Sequence, residues 1–109
     1  MQMKEYFFLL MAIGLEVLGT ILLPLSQGFT KLVPSTIIII SYIISLYLLT
    51  IVLERLPLPV VYSTWAGLGV FSIAVMSYLF YGQALNWASI LGLFLIVIGV
   101  TIVNYCRVA

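Results

Sequence analysis

A chain of 109 residues, 65% hydrophobic and only 6% charged, lies far from a soluble domain at about 45–50% apolar and about 25% charged, and an aqueous fold is excluded. Four basic and three acidic residues give a formal net charge of +1, which leaves no basic surface to hold nucleic acid by counterion release. The single cysteine, Cys106, has neither a second thiol nor a histidine to join, so no internal disulfide, metal site or cofactor is expected.

At about 20 residues per crossing of a roughly 30 Å hydrocarbon core, the length allows four spans in one domain over residues 1–109. Residues 5–23 form the first apolar run, interrupted by Glu16 and ended by Pro24, whose ring and missing N–H do not suit a helix interior. The internal carboxylate and the lack of a small-x-small boundary separate this run from a cleaved secretory signal. Ser26, Gln27 and Gly28 make a turn. The second helix, 34–54, opens on Pro34-Ser35 and closes at Glu54 and Arg55. Pro57 and Pro59 bracket a short link to the third helix, 59–81, in which Gly67 and Gly69 invite a bend. Gly82, Gln83 and Asn86 form the last turn, before a fourth helix at 87–106.

Loops this short force antiparallel neighbours. The runs do not alternate apolar with polar, so a barrel is excluded and helices are left as the way to satisfy the backbone in lipid. The expected fold is all-α integral membrane, with four transmembrane helices per chain. Tyr6, Phe7, Trp87 and Tyr105 lie near run ends, where aromatic rings favour the interface. Lys4, Arg55 and Arg107 fall on one side and Lys31 on the other. That bias favours cytoplasmic termini, and its small margin permits both orientations.

An ionised Glu near the bilayer centre costs between about 3 and more than about 10 kcal/mol. Lys4, Glu5, Lys31, Glu54, Arg55 and Arg107 all fall at loops or helix ends, so no fixed cation of this chain meets Glu16 at membrane depth. Its partner must then be mobile: a proton, favoured where charge is poorly solvated, or a cation arriving from outside. A carboxylate that accepts either in turn is an exchange device, the core of antiport. The alternative is an acid kept permanently neutral and hydrogen-bonded to a neighbouring helix.

Ala12, Gly19 and Thr20 stand at i−4, i+3 and i+4 from Glu16, one small-residue face. They leave room for a ligand or allow close helix packing. In the third helix Tyr62 and Trp65 share a face with Gly69 below them, and in the second Tyr42 stands among isoleucines with Ser45 at i+3. Aromatic faces beside one acid suit a bulky organic cation, since a desolvated cation–π contact contributes roughly 2 kcal/mol; singly, each aromatic reads as packing. Gly92 and Gly99, two turns apart on the fourth helix beside Leu91 and Leu95, form a contact seam. So small a chain has little interior for both a cavity and its walls, so at least a dimer is expected, with that seam as interface; packing against the third helix is the alternative. An enzyme is not expected, because Cys106 has no base, the serines no histidine and Glu16 no second acid.

These residues carry a resemblance to the small multidrug resistance transporters over essentially the whole length. The motifs are Ala12-Ile13-Gly14-Leu15-Glu16-Val17-Leu18-Gly19-Thr20, Ser26-Gln27-Gly28-Phe29-Thr30-Lys31-Leu32-Val33-Pro34-Ser35, Leu56-Pro57-Leu58, Tyr62-Ser63-Thr64-Trp65-Ala66-Gly67-Leu68-Gly69 and Gly82-Gln83-Ala84-Leu85. The resemblance implies a proton-coupled exporter of hydrophobic, often quaternary-ammonium, cations in the bacterial inner membrane. It implies an antiparallel dual-topology homodimer with one membrane Glu from each subunit, matched here by Glu16. Tyr42, Tyr62 and Trp65 would line the chamber, Gly67 and Gly69 form the third-helix bend, and Gly92 and Gly99 the dimer contact. The guanidinium-exporting branch carries Gly and Trp three residues before and after its Glu, where this chain has Ile13 and Gly19. Pro24, Gln27, Ser63, Tyr81 and Ala84 depart from the family's usual residues; Ser63 and Tyr81 bear on which cations are accepted, and the lost loop cations leave open a heterodimeric pairing. The competing expectations are export of guanidinium or polyamines, and, from another class, a passive channel or a non-transporting helper.

Overall fold

The computed structural model describes residues 2–106; Arg107, counted above among the cations, lies outside them. All regular structure among the described residues is helical: α1 (Gln2–Ser26), α2 (Leu32–Val52), α3 (Leu58–Tyr81) and α4 (Trp87–Tyr105). Each is long and apolar enough to cross a bilayer, with mean hydropathy of 2.2, 2.3, 1.6 and 2.2 in chain order. The helices form two compact units, residues 1–55 and 56–109, one built of α1 on α2 and the other of α3 on α4.

In the first unit the contact face of α1 carries Leu9, Ala12, Ile13, Val17 and Ile21, all buried, at the spacing of a helical stripe. The buried face of α2 is Ser35, Ile38, Ser41, Ser45 and Val52. Three serines there let the backbones approach closely, as small residues do where lipid is the solvent. Large apolar side chains turn outward instead, among them Ile39, Ile40, Ile43 and Leu46. In water such a surface would drive aggregation; acyl chains cover it at no hydrophobic cost.

The helix ends differ from the sequence expectation in definite ways. α1 continues through Pro24 to Ser26. The Ser26 hydroxyl donates to the Leu23 carbonyl at 2.7 Å and accepts the Phe29 N–H at 3.2 Å, and the Ser26 carbonyl receives the N–H groups of Thr30 and Lys31 at 2.9 and 3.1 Å. The chain then turns through three consecutive left-handed residues, Gln27, Gly28 and Phe29, with φ of 49°, 73° and 65°. For Gln27 and Phe29 this conformation costs roughly 1–2 kcal/mol each, and buried Ser26 holds it in place. α2 starts two residues before Pro34, which sits in its first turn, and stops at Val52. Glu54 and Arg55 form a turn, their N–H groups bonded to the carbonyls of Ile51 and Val52.

In the second unit Pro57 caps α3 and Pro59 occupies its first turn, where a missing N–H costs nothing. Gly82, at φ 67°, ends the helix in the left-handed conformation. Its N–H reaches the Tyr78 carbonyl at 3.1 Å and the Gln83 N–H reaches Ser77 at 3.3 Å, meeting two of the orphan carbonyls. Asn86 caps α4 by accepting the Ser89 N–H at 2.8 Å. α3 stays helical through Gly67-Leu68-Gly69, without a break at the expected bend.

Candidate functional site

Glu16 lies ten residues before the end of α1, and Tyr42 ten residues after the start of α2. At 1.5 Å per residue both stand about 15 Å from that end of the antiparallel pair, so α2 presents its tyrosine at the depth of the carboxylate. Thr20, one turn beyond Glu16, joins them. Its hydroxyl donates to Glu16 Oε2 at 2.5 Å and lies 2.7 Å from the Tyr42 hydroxyl. All three side chains are half-buried.

Two further expected residues fix this arrangement. A Cβ on Gly19 would stand 2.7 Å from Cε1 and 3.0 Å from Cδ1 of Tyr42, so the missing side chain is what admits the ring. On the other side of Glu16, buried Ser45 donates to the Ala12 carbonyl at 2.7 Å, the carbonyl that also accepts the Glu16 N–H in an α-helix. Tyr42 and Ser45, one turn apart on α2, thus grip α1 one turn after and one turn before the carboxylate. Ala12 is buried and Gly19 lies against the Tyr42 ring. Thr20 is a polar ligand of Glu16.

The remaining candidates belong to the second unit. Tyr62 lies one turn inside α3 and is exposed; Trp65 is half-buried. The Ser63 hydroxyl turns back to the Val60 carbonyl of its own helix at 3.2 Å. Gly67 and Gly69 are buried, and Gly67 touches α4: a Cβ there would lie 2.5 Å from Cγ2 and 3.2 Å from Cβ of Val100. Gly92 and Gly99 have nothing within 4 Å of where a Cβ would stand. They do not pack on α3, and Leu91, Leu95, Ile98 and Ile102 around them are exposed.

Sequence reasoning passed over one pair in this unit. Asn104 Nδ2 donates to Thr64 Oγ1 at 2.8 Å and to the Val100 carbonyl at 3.0 Å, and Thr64 is buried. The available signal was an amide inside an apolar run, which must find partners in lipid. Farther along, Phe71 and Phe94 pack with centroids 6.5 Å apart, beside an apolar crevice of about 440 Å³ under the 82–86 loop.

The sequence model of the Small Multidrug Resistance proteins matches residues 4–96. The chain belongs to the Small Multidrug Resistance family. It is 45% identical to the quaternary ammonium compound-resistance protein QacE of Escherichia coli, over 94% of this chain and 93% of that protein. It is 42% identical to the multidrug transporter EmrE of Escherichia coli strain K12 over the same shares, and 39% identical to QacC of Staphylococcus aureus over 91% and 92%. With four spans of sufficient length, this family member is a multi-pass membrane protein.

Proposed function

We propose that this chain is a proton-coupled antiporter of the bacterial inner membrane, exporting hydrophobic aromatic or quaternary-ammonium cations, with proton and cation competing for Glu16. The observation that carries this reading is the setting of Glu16. No basic residue occurs between Lys4 and Lys31, so the carboxylate sits mid-span with a threonine hydroxyl donating to it. Such a group invites a mobile positive charge. The names of the relatives, quaternary-ammonium resistance proteins and a multidrug transporter, supply the chemical class.

In this reading two copies assemble antiparallel, each contributing Glu16, Tyr42, Tyr62 and Trp65 to one chamber, with Ser63 nearby. The seam at Gly92 and Gly99 supports self-association, since among the described residues of its own unit nothing lies within 4 Å of where a Cβ would stand at either glycine. Alternating access would flex α3 at Gly67 and Gly69 and expose the Glu16 pair to one side at a time.

The test is binding of tetraphenylphosphonium to detergent-purified protein across pH, with Glu16→Gln in parallel. Binding that strengthens with pH and vanishes in the variant supports a shared site. Absence of binding by folded protein at every pH redirects the substrate class to guanidinium or polyamines, or the assembly to a heteromeric pair. Binding indifferent to the substitution refutes the mechanism.

A further inference from the structure

An ionised carboxylate accepts hydrogen bonds and cannot donate, and a threonine hydroxyl has one hydrogen. With Thr20 donating to Glu16 Oε2 at 2.5 Å, its hydrogen is committed, so across the 2.7 Å contact between Thr20 Oγ1 and the Tyr42 hydroxyl the donor must be Tyr42. The ionised state therefore has one polarity, Tyr42 to Thr20 to Glu16. The phenol hydrogen is spent inside the protein, and the lone pairs of the phenol oxygen remain for a bound cation.

A protonated Glu16 has a hydrogen to give and can reverse the chain. Its O–H donates to Thr20 Oγ1, the Thr20 hydrogen turns to the Tyr42 oxygen, and the phenol hydrogen is released to point elsewhere. Only hydroxyl rotations follow the arrival of the proton; no further bond breaks. The neighbourhood then offers a donor where it had offered an acceptor, which disfavours a cation in addition to the larger loss of the carboxylate charge. From α2 the titratable group facing Glu16 is Tyr42; Lys31, Glu54 and Arg55 lie beyond the ends of that helix, and Lys4 and Glu5 occupy the first turn of α1.

We propose that Thr20 is a positioning residue whose hydroxyl reports the charge of Glu16 to Tyr42, so that the phenol presents an acceptor to cations only while Glu16 is ionised. This rests on the exchange reading of Glu16. It adds that the competition between proton and cation is shared by three side chains on two helices.

The experiment is the pH profile of tetraphenylphosphonium binding, with a ligand-free titration of the Glu16 carboxyl by carbon-13 NMR, for wild type, Thr20→Ser, Thr20→Val, Tyr42→Phe and the Thr20→Val/Tyr42→Phe double variant. Withdrawing a hydrogen bond from the charged form should displace the midpoint of the binding profile in Thr20→Val. Thr20→Ser should restore it. Tyr42→Phe, which keeps the ring against Gly19, should move it the same way by less, and should add nothing in the double variant. A Thr20→Val midpoint equal to wild type, or additive shifts, overturns the relay while leaving Glu16 as the exchange group. An NMR titration that also fails to appear in wild type instead overturns the exchange reading itself. Should Thr20→Val fail to fold, Tyr42→Phe against wild type decides alone, a shifted midpoint supporting the relay and an unshifted one refuting it.

Discussion

Val100 occupies the space that a side chain on Gly67 would need: a Cβ there would stand 2.5 Å from Val100 Cγ2. Valine is stiff about χ1 in a helix, so the methyl cannot easily swing away, and α3 and α4 can touch here only because residue 67 is glycine. Gly67→Ala should destabilise the α3–α4 pair by about 1–3 kcal/mol, the usual cost of overpacking. Val100→Ala should rescue it. Reversible unfolding in mixed detergent, read by circular dichroism, checks this through the double-mutant cycle. If the two effects are additive, the contact is not what selects glycine. A hinge at Gly67 would then regain ground, with transport impaired and stability unchanged.

Gly19 poses the same steric problem with a different neighbour, the flat ring of Tyr42, which can tilt. Gly19→Ala should therefore leave the helices intact and displace the ring, taking the Tyr42 hydroxyl out of reach of Thr20. The expected result is near wild-type thermal stability with tetraphenylphosphonium affinity reduced about tenfold, equal to about 1.4 kcal/mol. Calorimetric titration beside a melting curve separates the two. Unchanged affinity would show that the ring position does not bear on binding.

How much of this was legible in the sequence varies with the physics behind each residue. Glu16 stood out because an acid inside an apolar run is expensive whatever surrounds it. The four helices followed from the length and continuity of the apolar runs. Their ends did not. Pro24 reads as a stop by its missing N–H, yet α1 runs two residues past it, as membrane helices allow where local adjustment re-satisfies the freed backbone group. Gly67 reads as a bend from the sequence, while its contact with Val100 depends on which helix lies alongside. Thr64 hid between Ser63 and Trp65, and only the approach of Asn104 reveals its partner.

That amide bridge bears on stability. Interhelical hydrogen bonds in membranes contribute about 0.6 kcal/mol on average and up to about 1.7. Asn104 also bonds the Val100 carbonyl, which orients it and places it toward the upper part of that range. Asn104→Leu should lower the stability of the protein in detergent by about 1 kcal/mol, and Thr64→Val in the same background should cost little more. Chemical unfolding of the single and double variants measures the coupling. Full additivity would mean that the two side chains contribute independently.

Gly92 and Gly99 make the opposite prediction to Gly67. Among the described residues of their own unit nothing lies within 4 Å of a Cβ at either position, so a methyl group adds no clash there, and Gly→Ala in a helix interior even favours the helical state by about 1 kcal/mol. If the chain were complete alone, Gly99→Ala should be neutral or mildly stabilising by every measure. The proposed dimer requires otherwise, because a second copy seated on a seam of glycines would meet the new methyl directly. The expected outcome is therefore split: helical content unchanged, and self-association in detergent or liposomes weakened several-fold. Energy transfer between separately labelled pools, followed on dilution into excess lipid, reads association apart from folding. Unchanged transfer for both Gly92→Ala and Gly99→Ala would move the interface to another face of the protein.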